Sequence, residues 1–155
     1  MPKQLCVVAE NIRSAFNVGA FFRLADGLAI SKIFLVGNTP FPPHDGIAKT
    51  ALGAEKSVEW EFHLSIETLL RKLHEENFQI IAIENNSAAE NLRDFKIPNS
   101  KICLFLGNEI DGVSEKVLRA ADKILKIEMR GKKESLNVST AAAIAFWEIA
   151  QKMKI

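Results

Sequence analysis

Three short segments of the chain carry hydrogen-bonding and charged side chains at fixed spacing. In the first, Asn11 to Asp26, an amide side chain, Asn17, stands at an expected helix start after an apolar run. Gly19, Arg23 and Asp26 follow at i, i+4, i+7, the spacing of one helix face. An arginine beside a glycine can meet a group that approaches closely. Equally, Asn17 can cap the helix and Arg23 can pair with Asp26 on a solvated surface.

In the second segment, Leu104 to Val113, an apolar run ends in Gly107-Asn108-Glu109 and turns through Asp111-Gly112 toward a helix beginning near Ser114. A glycine at the end of a parallel strand lets the backbone meet a ligand. A plain strand-to-helix connection with an Asp-Gly turn would read the same way. In the third segment, Ile127 to Ser139, a loop with Arg130, Lys132 and Lys133 leads into Ser135, Asn137 and Ser139. One such side chain suffices to cap a helix. Three, next to three cations, point to a polar, anionic partner.

The elements that must hold these segments follow from periodicity. Strand-length apolar runs recur at Leu5 to Ala9, Ile33 to Val36, Phe78 to Ile83, Ile102 to Leu106 and Ile124 to Ile127, with a half-exposed candidate at Ser57 to His63. Segments of helical periodicity separate most of them, among them a surface helix at Ser65 to Glu76. The alternation predicts an α/β fold with a mostly parallel sheet. Val138 to Met153 is apolar almost all round over two turns, which favours burial on more than one side and a subunit interface. The stretch Gly37 to Gly46, with Pro40, Pro42 and Pro43, reads as a stiff irregular loop.

Length and composition bound the function. A chain of 155 residues, 48% apolar and 25% charged, has the size of one domain over residues 1–155, and no substantial RNA-binding extension is expected. The formal net charge of +1 excludes a strongly basic nucleic-acid binder, so any RNA contact must be local. Cys6 and Cys103 sit inside apolar runs as small hydrophobes, without metal-ligand spacing. The expected location is cytoplasmic, since no signal-peptide pattern or membrane-length apolar run is visible. A nucleotide-binding oxidoreductase fails because the first strand leads into no Gly-x-Gly-x-x-Gly loop.

In order and spacing, the Asn…Gly…Arg segment, the Leu-Gly-Asn-Glu turn and Glu134-Ser-Leu-Asn-Val-Ser139 closely resemble the three signature motifs of the SpoU (TrmH-like) branch of the SPOUT methyltransferases. Lys49 to Glu55 looks like that family's segment between its first motif and a following strand. The resemblance implies a SPOUT-type α/β knot, in which the C-terminal segment threads a loop as a trefoil knot and builds a pocket for S-adenosylmethionine. It implies methyl transfer to a ribose 2′-hydroxyl of tRNA or rRNA, with tRNA preferred, and a homodimer whose site combines both subunits. By position, Ile83, Glu84, Gly107, Ile127, Met129 and Leu136 should line the cofactor pocket. The catalytic set carries over onto Asn17, Arg23, Glu109, Ser135 and Asn137. Arg13, Arg130, Lys132 and Lys133 are the expected RNA contacts, and no metal is implied.

One position departs from the family pattern: Glu128 stands where relatives usually have proline, which alters the stiffness and charge of the loop. A guanidinium with a pKa above about 12 is a poor base, so Arg23 is expected either to be activated by an RNA phosphate or to stabilise the developing alkoxide electrostatically. The alternative from another functional class is a non-catalytic RNA-binding module that keeps the knotted fold.

Overall fold

The computed structural model describes residues 2–155 except Asn99. The strands and helices run β1 (Gln4–Glu10), α1 (Ala15–Gly27), β2 (Lys32–Val36), α2 (Asp45–Ala51), β3 (Trp60–His63), α3 (Ile66–Glu75), β4 (Gln79–Ile83), β5 (Glu90–Asn91), β6 (Lys101–Leu106), α4 (Glu115–Ala120), β7 (Lys123–Lys126) and α5 (Val138–Met153). Together the strands form one seven-stranded sheet in the order β3-β2-β1-β6-β4-β7-β5. Every strand pairing among the described residues is parallel.

Central parallel strands are covered on both faces, which is why their sequences read as continuous apolar runs. Leu5, Val7 and Ala9 of β1 point to the layer formed by α1, α2 and α5, while Cys6 and Val8 point to the layer of α3 and α4. In the first layer Phe21 and Phe146 meet edge to face, ring centroids 5.4 Å apart, and lock α5 onto α1. Helix α1 begins earlier than expected. Its N-cap is Ser14, whose hydroxyl accepts from the Asn17 amide, so the Asn17 side chain is released from capping.

Helix α5 has the expected bounds, but most of its apolar surface serves the internal core. Val138, Ala142, Ala145, Phe146, Ile149, Ala150 and Met153 are buried, which leaves Ile144 and Trp147 exposed at 41% and 53%. Helix α2 was not expected. Its seven residues include Gly46 and bury only Ile47 and Ala51, too few periods for a pattern to register. It packs against Gly19, where a Cβ would collide with the Thr50 side chain and the Ile47 carbonyl. The glycine in the first segment therefore admits a neighbouring helix.

Candidate active site

The chain runs outward from β1 through β2 to β3, then crosses to the other half of the sheet, so the order reverses between β1 and β6. Ligands of open α/β sheets bind beyond the carboxyl ends of strands near such a reversal. A cavity of about 320 Å³ opens there, walled by the loops that leave β4, β6 and β7 and by the start of α5. Ile83, Leu106, Ile127, Met129, Leu136, Val138 and Ala141 supply apolar wall, and Glu84, Asn85, Glu109, Asp111, Glu134 and Ser135 supply polar groups.

A network of polar groups, with Asn108 and Glu10 buried, fixes the loops in place. Asn108 is 8% exposed; its Oδ1 accepts from the Ile110 and Asp111 amides at 2.7 and 3.1 Å, and its Nδ2 donates to the Asn11 carbonyl at 2.8 Å. The loop after β6 thus closes on itself and is tied to the loop after β1. Asn11 Oδ1 in turn accepts from the Asn38 amide at 2.9 Å, which joins the loop after β2. Glu10, 5% exposed, accepts from the Ser114 hydroxyl at 2.9 Å and holds the start of α4. Glu84 accepts from the Val113 amide at 2.7 Å. A carboxylate bound this way is a strong, geometrically selective tether.

All six residues expected to form a pocket, Ile83, Glu84, Gly107, Ile127, Met129 and Leu136, line the one cavity. Gly107 has a different reason to be glycine from the expected one. A Cβ there would collide with the Gly112 carbonyl and the Val113 amide, because the loop doubles back through the Asn108 and Gly112 pairing. Strand β7 stops at Lys126, so Ile127 and Met129 reach the cavity from a loop.

Of the residues expected to do chemistry, Glu109 and Ser135 line the cavity, and Glu109 Oε1 accepts from Asn17 Nδ2 at 3.1 Å. The first and second segments thus meet across 92 residues of sequence. Asn137 is the N-cap of α5, accepting from the Ser139 amide at 2.8 Å and the Ser139 hydroxyl at 2.6 Å. Arg23 is exposed, one and two-thirds turns beyond Asn17 on α1, and does not line the cavity. It has no ion pair with Asp26 among the described residues; Asp26 instead accepts from Ser57.

Arg13, Arg130, Lys132 and Lys133 are all exposed, on loops leaving the carboxyl ends of β1 and β7 at the cavity's edge of the sheet. Glu128, the departure from the family pattern, pairs with Arg130 at 3.2 Å. Asn85, Asn108, Asp111 and Glu10 were not among the expected site residues. Asn108 lay inside the quoted second segment, and its burial beside the expected strand end was the available signal. Glu10 gave none, since a carboxylate at a strand end is normally solvated.

Among the described residues no group of three or more His, Cys, Asp or Glu side chains could hold a metal ion. No described helix is long and apolar enough to cross a membrane. The thiols take no part: burial pushes Cys6 up to about 12 and Cys103 well above its ordinary value.

Known proteins share this arrangement. The profile of the SpoU rRNA methylase family matches residues 4–147. The tRNA (guanosine(18)-2′-O)-methyltransferase of Thermus thermophilus is 32% identical over 151 residues, covering 97% of this chain and 76% of the relative. The crystal structure of the TrmH/SpoU tRNA-modifying enzyme of A. aeolicus superposes with a TM-score of 0.87 at 27% identity, covering 98% of this chain and 76% of that one. An AdoMet-bound rRNA methyltransferase from Sinorhizobium meliloti has the same fold, with a TM-score of 0.92 at 23% identity, and this chain spans 58% of its length. With its second and third segments lining one cavity, its first tied to the second through Asn17 and Glu109, and the family profile matched over nearly its whole length, the chain belongs to the SpoU rRNA methylase family.

Proposed function

We propose that this protein transfers the methyl group of S-adenosylmethionine to a ribose 2′-hydroxyl of RNA. The observation that carries this reading is the cavity at the sheet's carboxyl edge, in which both apolar and polar walls come largely from the second and third segments, inside the stretch that the family profile matches. The cofactor fits the residues present. Ile83, Leu106, Ile127, Met129 and Leu136 offer an apolar slot for an adenine ring, and the main chain of the loops after β6 and β7 offers donors and acceptors for its edge. When bound, S-adenosylmethionine supplies an electrophilic methyl group on a sulfonium.

The chain's own residues then position and polarise the acceptor. Ser135, whose hydroxyl has no partner among the described residues, orients the ribose or the cofactor beside the cavity. Asn17 and Glu109 hold each other and fix the lip of the site. Arg23 stabilises the alkoxide that develops as the 2′-oxygen bonds the methyl carbon, its proton passing to solvent and the sulfur leaving as S-adenosylhomocysteine; electrostatic help of this kind is worth about 3–4 kcal/mol per donor in other enzymes. Arg13, Arg130, Lys132 and Lys133 contact phosphates, and the 2′-hydroxyl itself marks RNA as the substrate.

Arg23 lies outside the cavity of its own chain, so we further propose a homodimer in which the arginine serves a neighbouring cavity. Exposed Phe16, Ile144 and Trp147, at 54%, 41% and 53%, are the apolar groups available on α1 and α5 for that contact. The trefoil knot belongs to the same reading: β7 is inserted between β4 and β5, and the chain then returns so that α5 packs on α1. Relatives named for tRNA favour a tRNA substrate and a cytoplasmic site of action. Mapping 2′-O-methylated nucleotides in RNA from cells with and without this protein tests the reading. Loss of a methylated ribose on deletion supports it, and an unchanged map refutes it.

A further inference from the structure

The loop from Ile127 to Asn137 forms one wall of the cavity, through Ile127, Met129, Glu134, Ser135 and Leu136, yet little holds it. Residues 130–135 are all exposed. Its other side-chain bonds are local, Glu128 with Arg130 and Asn137 with Ser139. Among the described residues, one side-chain hydrogen bond ties this loop to a distant segment: Asn85 Nδ2 donates to the Glu134 carbonyl at 2.7 Å. Asn85 is the second residue after β4, next to Glu84, whose carboxylate holds the opposite wall through the Val113 amide. Two consecutive side chains at one strand end thus tether the two loops between which a ligand must pass.

We infer that Asn85 is a positioning residue, a latch that holds the loop carrying Ser135 against the cavity and sets how long S-adenosylmethionine stays bound. The inference rests on the cofactor reading above. An exposed loop with few tertiary contacts opens at low free-energy cost, so a single hydrogen bond is a large share of what keeps it closed. Net values for such bonds correspond to about a threefold to tenfold change in the closed population. Asn85 lines the cavity and bonds the Glu134 carbonyl next to Ser135, so its loss is read in cofactor residence and affinity.

The test compares wild type with Asn85→Ala, Asn85→Asp and Asn85→Gln. Asp keeps the size but turns the donor into an acceptor facing a carbonyl; Gln keeps the donor. Cofactor affinity is read by calorimetry and residence by chasing tritiated S-adenosylmethionine with unlabelled compound. Backbone hydrogen exchange of residues 127–137 is followed in the cofactor-free protein. The expected result is dissociation about threefold to tenfold faster in Asn85→Ala and at least as fast in Asn85→Asp, with partial rescue in Asn85→Gln. Exchange in the loop is faster, and KM for the cofactor rises in step. If wild type binds the cofactor and the Ala and Asp variants match it, or if kcat falls while affinity holds, the latch is overturned and the cofactor reading stands. If wild type binds no S-adenosylmethionine, both fall together.

Discussion

Gly107→Ala separates two explanations of the glycine that opens the second motif. If the residue is small to admit a cofactor, the variant leaves the cofactor-free protein intact. The geometry gives another reason, since a Cβ at this position would run into the Gly112 carbonyl and the Val113 amide, both backbone atoms that cannot rotate away. The loop would have to open by about an ångström, at an overpacking cost of about 1–3 kcal/mol. It would also weaken the 2.8 Å bond from the Gly112 amide to the Asn108 carbonyl, a further ~1 kcal/mol. For a chain of this length each kcal/mol corresponds to roughly 2–4 °C in Tm, so a fall of roughly 4–16 °C is expected without any cofactor. Thermal unfolding followed by far-UV circular dichroism, with S-adenosylmethionine absent, reads it. An unchanged Tm together with lost cofactor binding would refute the loop-packing explanation and restore the approach of a ligand as the reason for the glycine.

Other consequences are open to direct measurement. Phe146→Ala removes a fully buried ring packed edge to face on Phe21 and should cost about 3–5 kcal/mol in urea unfolding; a loss under 1 kcal/mol would contradict the role given to that contact. Burial raises Glu61, but hydrogen bonds from Lys32, His63 and Lys72 outweigh it and bring the carboxylate from 4.5 down to about 2. Its folded pKa is the lower one, so the stabilisation is complete above about pH 5 and is lost as pH falls through 4.5 toward 2. With the side chain 30% exposed, screening reduces the contribution to the order of 1–2 kcal/mol. Glu61→Gln should therefore be less stable than wild type at pH 7 and converge with it near pH 2; parallel curves would rule the linkage out. Cys6 and Cys103 should resist dithionitrobenzoate at pH 8 while the protein is folded and react fully in guanidinium, because burial holds both thiols protonated.

The sheet was legible because parallel strands buried on both faces are written as unbroken apolar runs, and the central ones were placed to within a residue or two. The two-residue β5 and the seven-residue α2 were not, since neither is long enough to establish a period. Residue types at the site were legible through resemblance, and the structure brings the six pocket residues together around one cavity. Their local reasons were not legible. Gly19 and Gly107 look like openings for a ligand in sequence, whereas helix α2 and the loop's own backbone occupy the space. Asn17 looks like a cap, but Ser14 caps the helix and leaves its amide for Glu109. These are contacts between segments tens of residues apart, which no local pattern records.

On the proposed function the chain carries a methyl group from S-adenosylmethionine to a ribose 2′-hydroxyl, with Arg23 at the acceptor. Incubation with tritiated S-adenosylmethionine and unmodified tRNA, then digestion to nucleosides and chromatography, measures it directly. Label is expected in a 2′-O-methylated nucleoside for wild type, and none for Arg23→Ala although that variant still binds the cofactor in calorimetry. Label on a base, or full transfer by Arg23→Ala, would contradict it.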